Sequence, residues 1–232
     1  MPVHRDDAAP AAPGAVIWDV DGVLLDSAEQ HHQAWRRLGA EEGARFSDAD
    51  FWASFGMRNA DVIPRLFGAH RAADVPALAA RKEAYYRDLL RASAAPLPGA
   101  RELMTSLHAA GYLQAIGSSA PHENLAEIIA LLGLAPYLGA VISGEQVARG
   151  KPAPDIFLAA AAALGVAPAA CLVIEDAPAG VAAAHAGGMR CLAVRRAGQA
   201  DAPGLEAADR IVDSLTAADV PLVARLLAHP GA

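Results

Sequence analysis

Five short apolar runs punctuate the chain: Ala15-Val16-Ile17-Trp18, Leu113-Gln114-Ala115-Ile116, Ala140-Val141-Ile142, Cys171-Leu172-Val173-Ile174 and Cys191-Leu192-Ala193-Val194. In most of them hydrophobicity is continuous rather than alternating, which predicts parallel strands covered on both faces. Helical spacing separates the last four runs, over residues 123–132, 154–164 and 179–186, and each stretch closes near a glycine, a common helix stop. Strand alternating with helix specifies the α/β class, a doubly wound parallel sheet.

The interval after the first run reads differently. Residues 28–95 hold no convincing strand, and helical stretches are predicted over 29–38, 61–67 and 75–90. Pro96-Leu97-Pro98-Gly99 then interrupts the chain ahead of another helical stretch, 100–109. Residues 28–95 are therefore expected to form a smaller, all-helical subdomain on a core made of 15–27 and 96–232. The opening residues, 1–14, are polar, Ala/Pro-rich and of mixed charge, and read as a disordered leader.

Composition narrows this picture. Hydrophobic residues make up 54% of the 232, enough for a sizeable core, yet aromatics are only 5%. Much of the apolar content is alanine, which favours helix and close packing of elements. No apolar run reaches the roughly 18 residues of a membrane span, so a soluble, cytoplasmic protein is expected. Cys171 and Cys191 both sit in apolar runs and read as small core residues rather than a disulfide or zinc ligands. A net charge of −7 argues against nucleic-acid binding, because a phosphate backbone needs a basic surface. One local basic pocket could still hold a small anion, and nothing calls for more than a monomer.

Four motifs carry candidate chemistry. Trp18-Asp19-Val20-Asp21-Gly22-Val23 follows the first strand directly. Two carboxylates one residue apart at the end of a buried strand repel each other and lose hydration. A divalent cation relieves that cost, and Mg²⁺ favours one or two carboxylates with water and phosphate oxygens. Ile174-Glu175-Asp176-Ala177-Pro178 repeats the theme after the fourth strand, although Asp before Ala-Pro also suits a helix N-cap. Gly150-Lys151-Pro152 supplies a lysine at a helix opening, and Ile116-Gly117-Ser118-Ser119 supplies hydroxyls and backbone N–H groups in a strand-to-helix loop. Each alone has an ordinary structural explanation. Together they stand at the carboxyl ends of predicted parallel strands, where ligands of open α/β sheets bind, and their inventory suits phosphoryl transfer.

These motifs, spread over residues 15–194, resemble the haloacid dehalogenase superfamily, specifically its β-phosphoglucomutase-like and sugar-phosphate phosphatase branch with a small helical cap. The resemblance implies a strand order of 3-2-1-4-5 with the first strand central, and residues 28–95 as the cap. It implies Asp19 as nucleophile forming an aspartyl-phosphate, Asp21 as general acid and base, and Ser118 and Lys151 as phosphate-binding and charge-neutralising groups. Mg²⁺ is the implied cofactor, held by Asp19, the Asp21 carbonyl and Asp176, with Glu175 supporting its water shell. In the cap, His31, Arg58 and Lys82 match or lie near substrate-coupled positions of β-phosphoglucomutase. Arg58 is displaced by one residue from the position of that enzyme's phosphate-holding arginine, a rotation of roughly 100° on a helix. Ser118-Ser119-Ala120-Pro121-His122 also lacks the lysine and asparagine of the mutase loop. The expected function is hydrolysis of a small phosphorylated metabolite, with a mutase-like phosphotransfer or a non-catalytic binding role as alternatives. His122, Asn124 and His185 stay unassigned.

Overall fold

Each of the five apolar runs forms a strand in the computed structural model, which describes residues 14–195 and 203–228. They are β1 (Ala15–Trp18), β2 (Leu113–Ser118), β3 (Ala140–Ser143), β4 (Cys171–Glu175) and β5 (Arg190–Val194), and a sixth strand, β6 (Arg210–Val212), joins them. All neighbours pair in parallel, in the order β3-β2-β1-β4-β5-β6. This contains the expected 3-2-1-4-5 order and adds an edge strand beyond it. Between β1 and β2 run α1 (Ala28–Glu41), α2 (Asp48–Ser54), α3 (Asn59–Phe67), α4 (Val75–Ser93) and α5 (Ala100–Ala109). Helices α6 (His122–Leu132), α7 (Asp155–Leu164) and α8 (Pro178–Ala186) precede β3, β4 and β5, and α9 (Val220–Ala228) follows β6. The leader expected over 1–14 lies outside the described residues apart from Gly14.

Strand alternation sorts the core into two layers. Val16, Trp18, Ile116, Leu172 and Ile174 face one layer with Leu103 and Leu107 of α5, Leu125 and Ile128 of α6, and Val223 of α9. Ala15, Ile17, Ala115, Cys171 and Val173 face the other, with Phe157 and Ala160 of α7 and Val181 and Ala184 of α8. Both cysteines are buried free thiols. Helices α6 and α7 end on glycines in the left-handed conformation, Gly133 (φ 60°) and Gly165 (φ 69°), as their sequence signals predict. Among the described residues no helix is long and apolar enough to cross a membrane.

The inserted helices α1 to α4 build a third apolar cluster of their own from Trp35, Leu38, Phe51, Val62, Ile63 and Leu78. Helix α2 starts on a capping box in which Ser47 and Asp50 satisfy each other's backbone N–H. The outgoing and returning linkers run side by side, Leu97 N–H donating to Leu24 O at 2.9 Å. The edge strand β6 is held from outside itself. Asp209, just before it, accepts from Cys191 N–H (2.8 Å) and Arg190 Nη1 (2.7 Å) and pairs with His185 (3.0 Å).

Sheet register decides where the polar motifs meet. Trp18 pairs with Ile116 on one side and Ile174 on the other. The residues that follow, Asp19, Gly117-Ser118 and Glu175-Asp176, therefore leave the carboxyl edge of three adjacent strands together.

Candidate active site

Asp19 is one residue past β1, its N–H bound to Ile174 O at 2.9 Å, and only 6% of its surface is exposed. Lys151 Nζ donates to Asp19 Oδ1 and to Glu175 Oε1, both at 2.7 Å. Glu175 Oε2 accepts the N–H groups of Asp176 and Ala177, both at 2.6 Å. This leaves Asp19 Oδ2 without a hydrogen bond among the described residues. Burial pushes the Asp19 carboxyl up to about 7; Lys151 opposes the shift, and Glu175 and Asp21 add to it. Burial also works against the charge on Lys151, but Asp19 and Glu175 outweigh it and raise the ammonium's pKa. Ser118, buried at the end of β2, has its Oγ 3.2 Å from the N–H of Ala120.

Gly22 explains the glycine of the first motif: its φ of 83° turns the chain sharply after Asp21. That turn sends the Asp21 side chain towards the inserted helices. Its Oδ1 accepts from Ser27 Oγ (2.5 Å) and lies 3.3 Å from His31 Nε2 and 3.4 Å from Tyr86 Oη. Burial alone would raise the Asp21 carboxyl, yet His31, Ser27 and Lys82 outweigh it and hold it well below the usual carboxylate range. Behind His31 the chain of contacts continues: Lys82 Nζ is 2.6 Å from His31 Nδ1 and donates to Glu83 at 2.8 Å. The His31 ring stacks on Tyr86 at 3.8 Å.

A small cavity of about 40 Å³ lies above Asp21, between core and inserted helices. His31 and Lys82 line it, beside an apolar wall of Trp35, Phe51, Phe55 and Met57. Arg58 does not line it. Standing at the N-terminus of α3, Arg58 donates to Asp61 (2.9 Å) and across to the carbonyls of Val147 and Ala148, both at 3.3 Å. It thus ties the inserted helices to the loop that leads into Lys151. Sequence reasoning missed Ser27, Tyr86 and Glu83 and left Asn124 unassigned. Asn124 is fully buried and bonds Glu83 and Arg87, whereas His185 lies far off, on Asp209. No motif marks Tyr86, Glu83 or Asn124, since each finds a partner on another element.

The oxygen-rich floor suits a hard divalent cation. Asp19, Glu175 and Asp176, all buried, place one oxygen each within 4.8 Å of one another. Of these three carboxylates, Asp19 and Glu175 share the Lys151 ammonium. An all-oxygen donor set of this sign matches Mg²⁺ better than a softer metal. The Asp21 carboxylate is turned away from that cluster.

Comparison with known proteins supplies the family. The family profile of haloacid dehalogenase-like hydrolases matches residues 13–188, so the chain belongs to that family. It is 34% identical over 181 residues to fructose-1-phosphate phosphatase YqaB of Escherichia coli, covering 78% of this chain and 95% of that protein. It is 33% identical over 189 residues to β-phosphoglucomutase of Bacillus subtilis, covering 78% and 82%. Among solved structures, β-phosphoglucomutase from Clostridium difficile shares the fold with a TM-score of 0.83, over 93% of this chain and 97% of that one, at 24% identity. The chain is an enzyme of the phosphatase or phosphomutase kind.

Proposed function

We propose that this enzyme is a Mg²⁺-dependent phosphatase that hydrolyses a small sugar phosphate through an aspartyl-phosphate on Asp19, beneath a cap formed by residues 28–95. The observation that carries the reading is the pairing of two differently held carboxylates. Asp19 is fixed by Lys151 with one oxygen left for attack, and Asp21 is held two residues on by cap and linker groups. Asp19 attacks phosphorus, the ester P–O bond breaks, and the departing alkoxide takes its proton from Asp21. Asp21 then removes a proton from water, which attacks the phosphoryl group and frees Asp19 and inorganic phosphate. In the present arrangement Asp21 is an anion, ready for that second half. An arriving phosphate raises its pKa by like-charge repulsion and favours the proton needed for the first. Mg²⁺ bound by Asp19, Asp176 and the Asp21 carbonyl, with Glu175 in support, would supply positive charge against the phosphoryl oxygens. Ser118 and Lys151 hold the transferring group.

Phosphate release from a panel of sugar monophosphates, by wild type and Asp19→Asn, tests this. Wild type should turn over at least one, and the variant none. Wild-type activity in Asp19→Asn would remove the aspartyl-phosphate. Glucose 6-phosphate accumulating from β-glucose 1-phosphate and a bisphosphate primer, without free phosphate, would make the enzyme a mutase instead.

A further inference from the structure

The cavity above Asp21 ends at a wall that the proposed reaction does not explain. Beyond that wall is a lateral cleft carrying two arginines, Arg58 and Arg87, neither of which lines the cavity itself. Four residues border both spaces: Asn59, Glu83, Ser119 and Pro121. Glu83 is the centre of the partition and is only 4% exposed. Its Oε1 accepts from Asn59 Nδ2 (2.7 Å) and Lys82 Nζ (2.8 Å), and its Oε2 from Asn124 Nδ2 (2.6 Å). Helices α3, α4 and α6 are thereby joined through one carboxylate. Burial would raise its pKa, but Lys82 and His31 outweigh burial and keep it ionised.

Every cation near the wall is already engaged. Lys82 is divided between Glu83 and His31. Arg58 is held by Asp61 and two loop carbonyls, and Arg87 by Asn124 Oδ1 (3.0 Å) and Glu123 (3.1 Å). A substrate whose phosphate sits over Asp19 would therefore present its far end to the Glu83 carboxylate and the Asn59 amide, beside a Lys82 ammonium already shared by Glu83 and His31, with no guanidinium lining the cavity. A hydroxyl there can donate to Glu83 and accept from Asn59. A second phosphate would lose its hydration against a like charge and gain no fork of donors in return.

We infer that the Asn59–Glu83 wall, braced from behind by Asn124, selects phosphomonoesters whose far end is uncharged and hydroxyl-bearing, and that Glu83 is the residue that refuses a second phosphate. This rests on the phosphatase reading and adds the class of substrate to it. The test is kcat/KM for phosphate release from fructose 1-phosphate against fructose 1,6-bisphosphate and from glucose 1-phosphate against glucose 1,6-bisphosphate, with p-nitrophenyl phosphate alongside. Wild type should prefer the monophosphate of at least one pair by tenfold or more. Glu83→Gln should narrow that preference at least fivefold, while Glu83→Asp, which keeps the charge, preserves it. Asn59→Arg, which brings a guanidinium to the cavity side of the wall, should narrow it as well and decides the matter if Glu83→Gln does not fold. No preference in wild type, or an unchanged preference in the folded variants, overturns the inference and leaves the phosphatase standing. Turnover of p-nitrophenyl phosphate alone does the same. No turnover of any ester brings down both.

Discussion

Gly180→Ala puts the floor of the site to a test in which the sign of the effect decides. Gly180 lies in the first turn of α8, and a Cβ there would stand 1.7 Å from Glu175 Oε1 and 1.9 Å from Glu175 Cδ. No side chain tolerates such a distance, so the Glu175 carboxylate must leave its place. It then gives up Lys151 and the N–H groups of Asp176 and Ala177. Hydrogen bonds to a charged group contribute about 1.5–3 kcal/mol each. Against this, alanine offers up to about 1 kcal/mol of helix propensity over glycine. With part of the carboxylate's contacts recovered after it moves, a net loss of about 2–4 kcal/mol is expected, which a domain of ordinary stability survives. Urea unfolding followed by circular dichroism measures it. Phosphate release should fall on the order of a hundredfold, because Lys151 is left with Asp19 alone and the nucleophile shifts. In a Glu175→Ala background the clash is gone, and Gly180→Ala should then be neutral or stabilising, a coupling of roughly 2 kcal/mol or more. A Gly180→Ala enzyme as stable as wild type would refute the packing of Glu175 against α8.

Arg58→Ala should lower kcat/KM about tenfold by loosening the cap from the loop carrying Lys151; a loss above a thousandfold would instead show Arg58 touching substrate. Asp209→Asn should cost about 1–2 kcal/mol at neutral pH by weakening the charge-assisted bonds that hold β6. The Asp209 carboxyl is held below its usual pKa: burial opposes this, but Cys191 N–H, His185 and Arg190 prevail. Its contribution is therefore present above about pH 4 and lost as pH falls further, so the deficit of the variant should shrink in acid, read by unfolding at pH 7 and pH 3. Chelation with EDTA should abolish phosphate release, and Mg²⁺ at a hundred times its Kd should restore it and add about 2.7 kcal/mol to unfolding stability. Full activity in the chelated enzyme would exclude the metal role.

Legibility followed burial and locality. The five principal strands could be read from the chain because each is covered on both faces and so is apolar along its length. Strand β6 could not: of Arg210-Ile211-Val212 only Val212 is buried, and the strand exists because Asp209 reaches Cys191, Arg190 and His185 on other elements. Helix α2 had a readable signal in the Ser47 to Asp50 capping spacing, but Phe51 is its single buried residue and no apolar period points to it.

The candidate site divides in the same way. Asp19, Asp21, Ser118, Lys151, Glu175 and Asp176 were legible because all but Lys151 end a strand or follow its end by no more than three residues, and a parallel sheet carries such positions to one edge whatever the details of packing. The cap was different. Arg58 pointed by sequence towards the substrate, yet a single turn of α3 settled it on Asp61 and the carbonyls of Val147 and Ala148. Glu83 carries no motif at all, and its partners Asn59 and Asn124 stand 24 and 41 residues away. The chain by itself thus determined the sheet, its central strand and the charged and hydroxyl residues gathered at its edge, since these depend on local pattern and strand order. Only the tertiary structure decided what faces Asp21 from above, because that depends on how four helices rotate and dock, and a rotation of one residue exchanges a guanidinium for an amide.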